Sequence, residues 1–129
     1  MTERSQTVLV VSDRPPLSPE IAYAFPDDVT VLFAVDASEA MRLMTEVTPS
    51  VVVSDIRTGN AGGYGLSREM NSNERLRAVP RLILLERRED SWLAQQAGAT
   101  RYRVMPISDD ELVEEALSLA SKVAATPQR

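Results

Sequence analysis

Thr7-Val8-Leu9-Val10-Val11-Ser12-Asp13 is a short, apolar, β-branched run that stops at a serine and an aspartate. Ser50-Val51-Val52-Val53-Ser54-Asp55 repeats the pattern further along the chain. Neither run alternates apolar with polar residues, so each suits a strand covered on both faces, as in a parallel sheet. Val29 to Ala34, Arg81 to Leu85 and the weaker Arg101 to Val104 have the same character, giving strands expected over 7–11, 29–34, 50–53, 81–85 and 101–104.

The segments between these runs have helical spacing. Ser38 to Val47 spaces Ala40, Met41, Leu43, Met44 and Val47 along one face, with Ser38 as its cap. Tyr64 to about Leu76 sets Leu66 and Met70 on one side. Asp90 to Ala97 stops at Gly98, a good C-terminal residue. Ser108 to Ala124 is the clearest helix: Ser108 caps it, Glu111 completes a capping box, and Leu112, Val113, Ala116, Leu117, Leu119, Ala120 and Val123 form its apolar face. The first helix has only Ser18 to Phe25 to draw on, hemmed between Pro15-Pro16 and Pro26, and is expected to be about two turns long. Strand and helix alternate five times. The fold class is therefore α/β, a (βα)5 doubly wound parallel sheet with strand order 2-1-3-4-5. Residues 7–125 form one domain, with tails at 1–6 and 126–129.

Composition narrows the chemistry. The 129 residues are 43% hydrophobic and 26% charged, ordinary for a globular chain, and the net charge of −5 disfavours direct DNA binding. There is no cysteine, hence no disulfide and no thiolate metal site; there is no histidine, hence no Ser-His-Asp triad, no imidazole ligand and no histidine phosphocarrier. Lys122 is the only lysine; the remaining bases are arginines. No apolar run approaches the roughly 18–20 residues of a membrane span, and residues 1–6 lack the basic start of a signal peptide, so a cytoplasmic location without membrane contact is expected.

Ligands of wound sheets sit outside the carboxyl ends of the strands, which directs attention to Ser12-Asp13, Asp55, Leu85-Glu86 and Met105. Carboxylates at the ends of two inner strands attract a hard divalent cation and offer a nucleophilic oxygen, although aspartate also ends strands for purely conformational reasons. Four stretches resemble a known family: Val8 to Asp13, Pro49 to Asp55, Gly63-Tyr64-Gly65-Leu66, and Ala97-Gly98-Ala99-Thr100-Arg101-Tyr102-Arg103-Val104-Met105-Pro106. Together, and over about residues 7–124, they resemble the CheY-like receiver domains of two-component response regulators. The resemblance implies that Asp55 stands at the phospho-acceptor position, and that Mg²⁺ would be held by Asp13, Asp55 and the backbone carbonyl of Arg57. It also implies that Tyr102 stands at the switch aromatic, and that partners meet the fourth helix, fifth strand and last helix.

Departures from the family pattern are as informative. Ser12 replaces the first of two acids, Leu85 the hydroxyl residue ending the fourth strand, Met105 the lysine before Pro106, and Gly59 a proline. The nucleophile is kept while the groups that neutralise a phosphoryl dianion are reduced. The expectation is a stand-alone atypical receiver-like signalling module, not an enzyme, that acts by protein–protein interaction with impaired or absent aspartyl phosphorylation and weak Mg²⁺ binding. The alternative is a working regulator accepting a phosphoryl group on Asp55 with Mg²⁺. A flavodoxin-like binder of a small molecule or nucleotide is a third reading, opposed by Ser12 to Leu17, which has two prolines and no glycine with which to cradle phosphate; no flavin or nucleotide is expected.

The Arg57 guanidinium either folds back onto Asp13 or Asp55, replacing the metal, or points to solvent. Tyr102 is either a switch or a half-buried strand aromatic. Trp92, in the fourth helix, either packs on the sheet or anchors a partner. Arg101 and Arg103 flank Tyr102 on one strand face and could receive an acidic partner; Glu114 and Glu115 read as solvated. Expected partners are another signalling or effector protein, a histidine kinase, or a second copy through the fourth helix, fifth strand and last helix.

Overall fold

The computed structural model describes residues 6–13, 19–55 and 62–125. Five strands, β1 (Thr7–Val11), β2 (Thr30–Ala34), β3 (Val51–Asp55), β4 (Arg81–Leu85) and β5 (Arg101–Val104), form one parallel sheet in the order β2-β1-β3-β4-β5. The helices are α1 (Ala37–Leu43), α2 (Gly62–Asn71), α3 (Ser91–Ala97) and α4 (Asp109–Ala125), with short 3₁₀ segments at Pro19–Ala24 and Arg88–Asp90. The expected winding is the observed one.

Two apolar layers sandwich the sheet. On one face, Val8, Val10, Val51, Val53, Leu82 and Leu84 meet Ile21, Phe25 and the Leu112, Ala116 and Leu119 stripe of α4. On the other, Leu9, Val11 and Val52 meet Ala40 of α1, Met44 just past its end, and Leu66 and Met70 of α2, while Ile83 and Leu85 meet Ala94 and Ala97 of α3. Every residue of β3 and β4 is buried, which is why their sequences run apolar without alternation. Each such valine or leucine contributes about 1.5–3 kcal/mol of burial free energy.

Several boundaries differ from the sequence expectation. The first helix is a 3₁₀ segment rather than two α-turns, in keeping with the prolines that bracket it. The cap of α1 is Asp36, not Ser38: extended at φ −156°, it accepts from the Glu39 amide at 2.8 Å, while Glu39 reaches back to the Val35 amide at 2.9 Å. These two bonds start the helix at Ala37, and it ends at Leu43 rather than Val47. Helix α2 stops at Asn71, short of Leu76, because the Asn73 carboxamide takes the amides of Arg75 (2.9 Å) and Leu76 (3.2 Å) and turns the chain. Strand β3 runs on through Asp55, which pairs with Leu84. The capping box of α4 is present, with Ser108 Oγ accepting from the Glu111 amide at 3.1 Å and Glu111 Oε1 from the Ser108 amide at 3.4 Å. No helix among the described residues is long and apolar enough to cross a membrane.

Candidate functional site

Register sets the geometry of the candidate site. Val11 of β1 pairs with Ser54 of β3 and with Ala34 of β2, so the chain leaves both inner strands at the same rim. Asp55 ends β3 and is 9% exposed; Asp13, two residues beyond β1, is exposed. Ser12 is buried, its amide bonded to the Ala34 carbonyl at 3.0 Å. Asp13, Asp55, Ser12 and the exposed Glu86 all have interaction partners. The rim is thus acidic and open on the Asp13 side, with the inner carboxyl sunk toward the sheet. Arg57 and Gly59 lie outside the described residues, so neither the carbonyl nor the folded-back guanidinium expected of Arg57 is located. Among the described residues, no three acidic side chains gather as a metal-holding group.

Beside this rim, Leu85 is fully buried at the end of β4, within the cluster that holds Ile83, Ala94 and Ala97, and Tyr102 and Val104 pack against it. Its carbonyl accepts the Met105 amide at 2.7 Å. The half-buried Met105 side chain packs against the apolar layer beneath α4, and the Met105-Pro106 peptide is cis.

The remaining sequence candidates separate. Tyr102 is half-buried, its hydroxyl 3.5 Å from Gln95 Nε2. Trp92 is 62% exposed, and Leu93 beside it is exposed as well, so the tryptophan does not pack on the sheet. Arg101 and Arg103 share a face of edge strand β5, but their acidic partner comes from within the chain: Glu115 of α4 accepts from Arg101 at 2.5 Å and from Arg103 at 2.7 Å, and Glu111 stands 3.5 Å from Arg103. Glu115 is therefore not the solvated residue expected from sequence. The hydrogen bond from Arg101 above all, aided by Arg103 and opposed by burial, holds its carboxyl below the ordinary carboxylate range. Together with Glu114 and Ser118 these four charged residues line an open groove of about 370 Å³.

Sequence reading missed Arg81, which is 3% exposed at the start of β4. Its signal was visible as a single charge inside an otherwise apolar run.

No family model matches the chain. The curated proteins similar to it include two that match most of the chain. The hybrid signal transduction histidine kinase D of Dictyostelium discoideum is 27% identical over 114 residues, covering 87% of this chain; the chain spans only 7% of that kinase's length. An uncharacterized 14.6 kDa protein encoded in the sodA1 3′ region of Leptolyngbya boryana is 30% identical over 110 residues, covering 82% of this chain and 83% of its own. Among solved structures, the receiver domain of a sensor histidine kinase from Pseudomonas aeruginosa PAO1, with a magnesium ion in its active-site cleft, superposes with a TM-score of 0.80 at 24% identity, covering 92% of this chain and 99% of that one. The sheet, wound in this order, gives the chain the fold of the receiver domains of two-component signalling proteins.

Proposed function

We propose that the chain signals through contacts with another protein, through the unit formed by residues 7–125, and that phosphoryl acceptance at Asp55 is impaired. The observation that carries this reading is Leu85. Phosphoryl transfer depends on positioning and on neutralising the equatorial oxygens. A fully buried leucine at the end of β4 offers no donor to such an oxygen, and Met105 offers no cation. A dianion held against a leucine and a thioether would lose hydration without compensation. The role is regulatory rather than catalytic, and the partner is a kinase or an effector protein.

Magnesium fits the rim in part. Asp13 and Asp55 supply the hard carboxylate oxygens that Mg²⁺ prefers, with the Arg57 carbonyl as the third ligand implied by the family, and Ser12 replaces a further charge. When bound, the ion would neutralise phosphoryl oxygens at Asp55. With one carboxylate fewer, its affinity is weak. A second reading, in which Asp55 is a working acceptor, is favoured by the retention of both aspartates at one rim.

Incubation with Mg²⁺ and a small-molecule phosphodonor, followed by intact mass, tests the proposal. The expected spectrum is the unmodified mass. A stoichiometric single-phosphoryl adduct, absent in Asp55→Asn, would establish the second reading instead.

A further inference from the structure

Arg81 brings a full positive charge into the base of the sheet, at the end opposite the acidic rim, and no carboxylate among the described residues pairs with it. Its guanidinium is held by neutral acceptors. Nε donates to the Val79 carbonyl (3.1 Å), Nη2 to the Arg77 carbonyl (2.8 Å), and Nη1 to Asn71 Oδ1 (2.8 Å), Ser67 Oγ (3.0 Å) and the Ser67 carbonyl (3.2 Å). A buried, unpaired cation is costly, so this geometry is strongly determined.

The two α2 residues that hold Arg81 also hold the end of α3. Ser67 Oγ donates to the carbonyl of Ala97, the last residue of α3, at 2.6 Å, and Asn71 Nδ2 approaches the same oxygen at 3.5 Å. Gly98, left-handed at φ 89°, passes so close that a Cβ there would sit 2.8 Å from Asn71 Nδ2. The Arg81 main chain secures the next residues, its amide donating to Thr100 Oγ1 (2.9 Å) and its carbonyl accepting the Thr100 amide (2.9 Å).

Among the described residues, the other end of α3 has no such fastening. Asp90 at its N-cap makes no side-chain capping bond and instead faces Arg87 at 3.3 Å. Trp92 and Leu93 are exposed, and the buried residues of α3 are the alanines Ala94 and Ala97, which offer the sheet little interlocking surface.

We propose that Arg81, through Ser67 and Asn71, is a pivot for α3: the C-terminal end is fixed to α2 and β4, and the helix moves by swinging its N-terminal half, which carries Trp92 and Leu93. The pivot does not depend on whether Asp55 accepts a phosphoryl group, so the two proposals fail separately.

The chain lacks cysteine, so engineered pairs can be spin-labelled cleanly. Distance distributions from Arg42→Cys on α1 to Leu93→Cys and to Gln96→Cys read the two ends of α3. The 42–96 distribution should be narrow and the 42–93 distribution broad. Arg81→Met, where circular dichroism shows it folded, should broaden 42–96 to match 42–93; Ser67→Ala, which keeps the cation, should broaden it in the same direction. Equal widths for the two pairs in the otherwise unaltered chain would overturn the pivot. So would an unchanged 42–96 width in folded Arg81→Met or in Ser67→Ala.

Discussion

At the scale of the residue, the chain divides its charged groups into those that water covers and those that the fold must satisfy. Arg81 belongs to the second kind. Burial lowers the pKa of its guanidinium, yet an arginine remains protonated, so the cost is met by five hydrogen bonds to neutral oxygens. Removing the side chain takes the donor from Ser67 Oγ, Asn71 Oδ1 and the carbonyls of Ser67, Arg77 and Val79, several of them buried. Arg81→Ala is therefore expected to cost at least about 3 kcal/mol in urea unfolding. Arg81→Met, which removes the charge while filling much of the volume, should cost less than the alanine variant. The reverse order would mean that packing, not hydrogen bonding, is what Arg81 supplies. Sequence alone could flag this residue as an odd charge in an apolar run, but could not show that α2 turns its polar face to meet it.

At the scale of the element, β5 and α4 are joined by charge. An edge strand bearing Arg101 and Arg103 reads, in sequence, as a basic patch facing outward, because Glu115 is remote in the chain and only the final register brings it opposite. The Glu115 carboxyl is held below its ordinary range, so its contribution is complete above the unfolded value of about 4.3 and disappears as pH falls through the lower folded value. Acid should thus loosen α4 from β5. Glu115→Gln should remove that part of the pH dependence and cost about 1 kcal/mol at neutral pH, less at high salt, since the arginines are partly exposed. Urea titrations across pH 2–6 would check both. In α1, Asp36 and Ser38 both qualify as caps by type, and sequence reading chose the wrong one. The structure shows that the Asp36 carboxylate accepts from the Glu39 amide. Asp36→Ala should cost about 1 kcal/mol and Ser38→Ala much less, measured by thermal unfolding.

At the scale of the whole molecule, the winding was legible because buried parallel strands announce themselves as unbroken apolar runs, and five of them separated by helical spacing leave few topologies. Capping chemistry marked the ends of α3 and α4 for the same reason, since Gly98 and the Ser108–Glu111 pair act locally. The first helix was harder, because prolines fix where a helix cannot extend without saying that it becomes 3₁₀. The rim was legible in outline: Asp13 and Asp55 leave adjacent strands together, as their positions in the runs required. That Leu85 is sealed into the layer with Tyr102, rather than turned toward solvent, needed coordinates.

The central claim is that the acidic rim is present while the hydroxyl and ammonium that would support a phosphoryl group at Asp55 are missing. Restoring them tests it most directly. The Leu85→Thr, Met105→Lys double variant and the unaltered chain would be incubated side by side with Mg²⁺ and a small phosphodonor, and the fraction carrying one added phosphoryl group read by intact mass. The account predicts an adduct in the double variant that disappears when Asp55→Asn is added, and none in the unaltered chain. Equal labelling of the two proteins would contradict it.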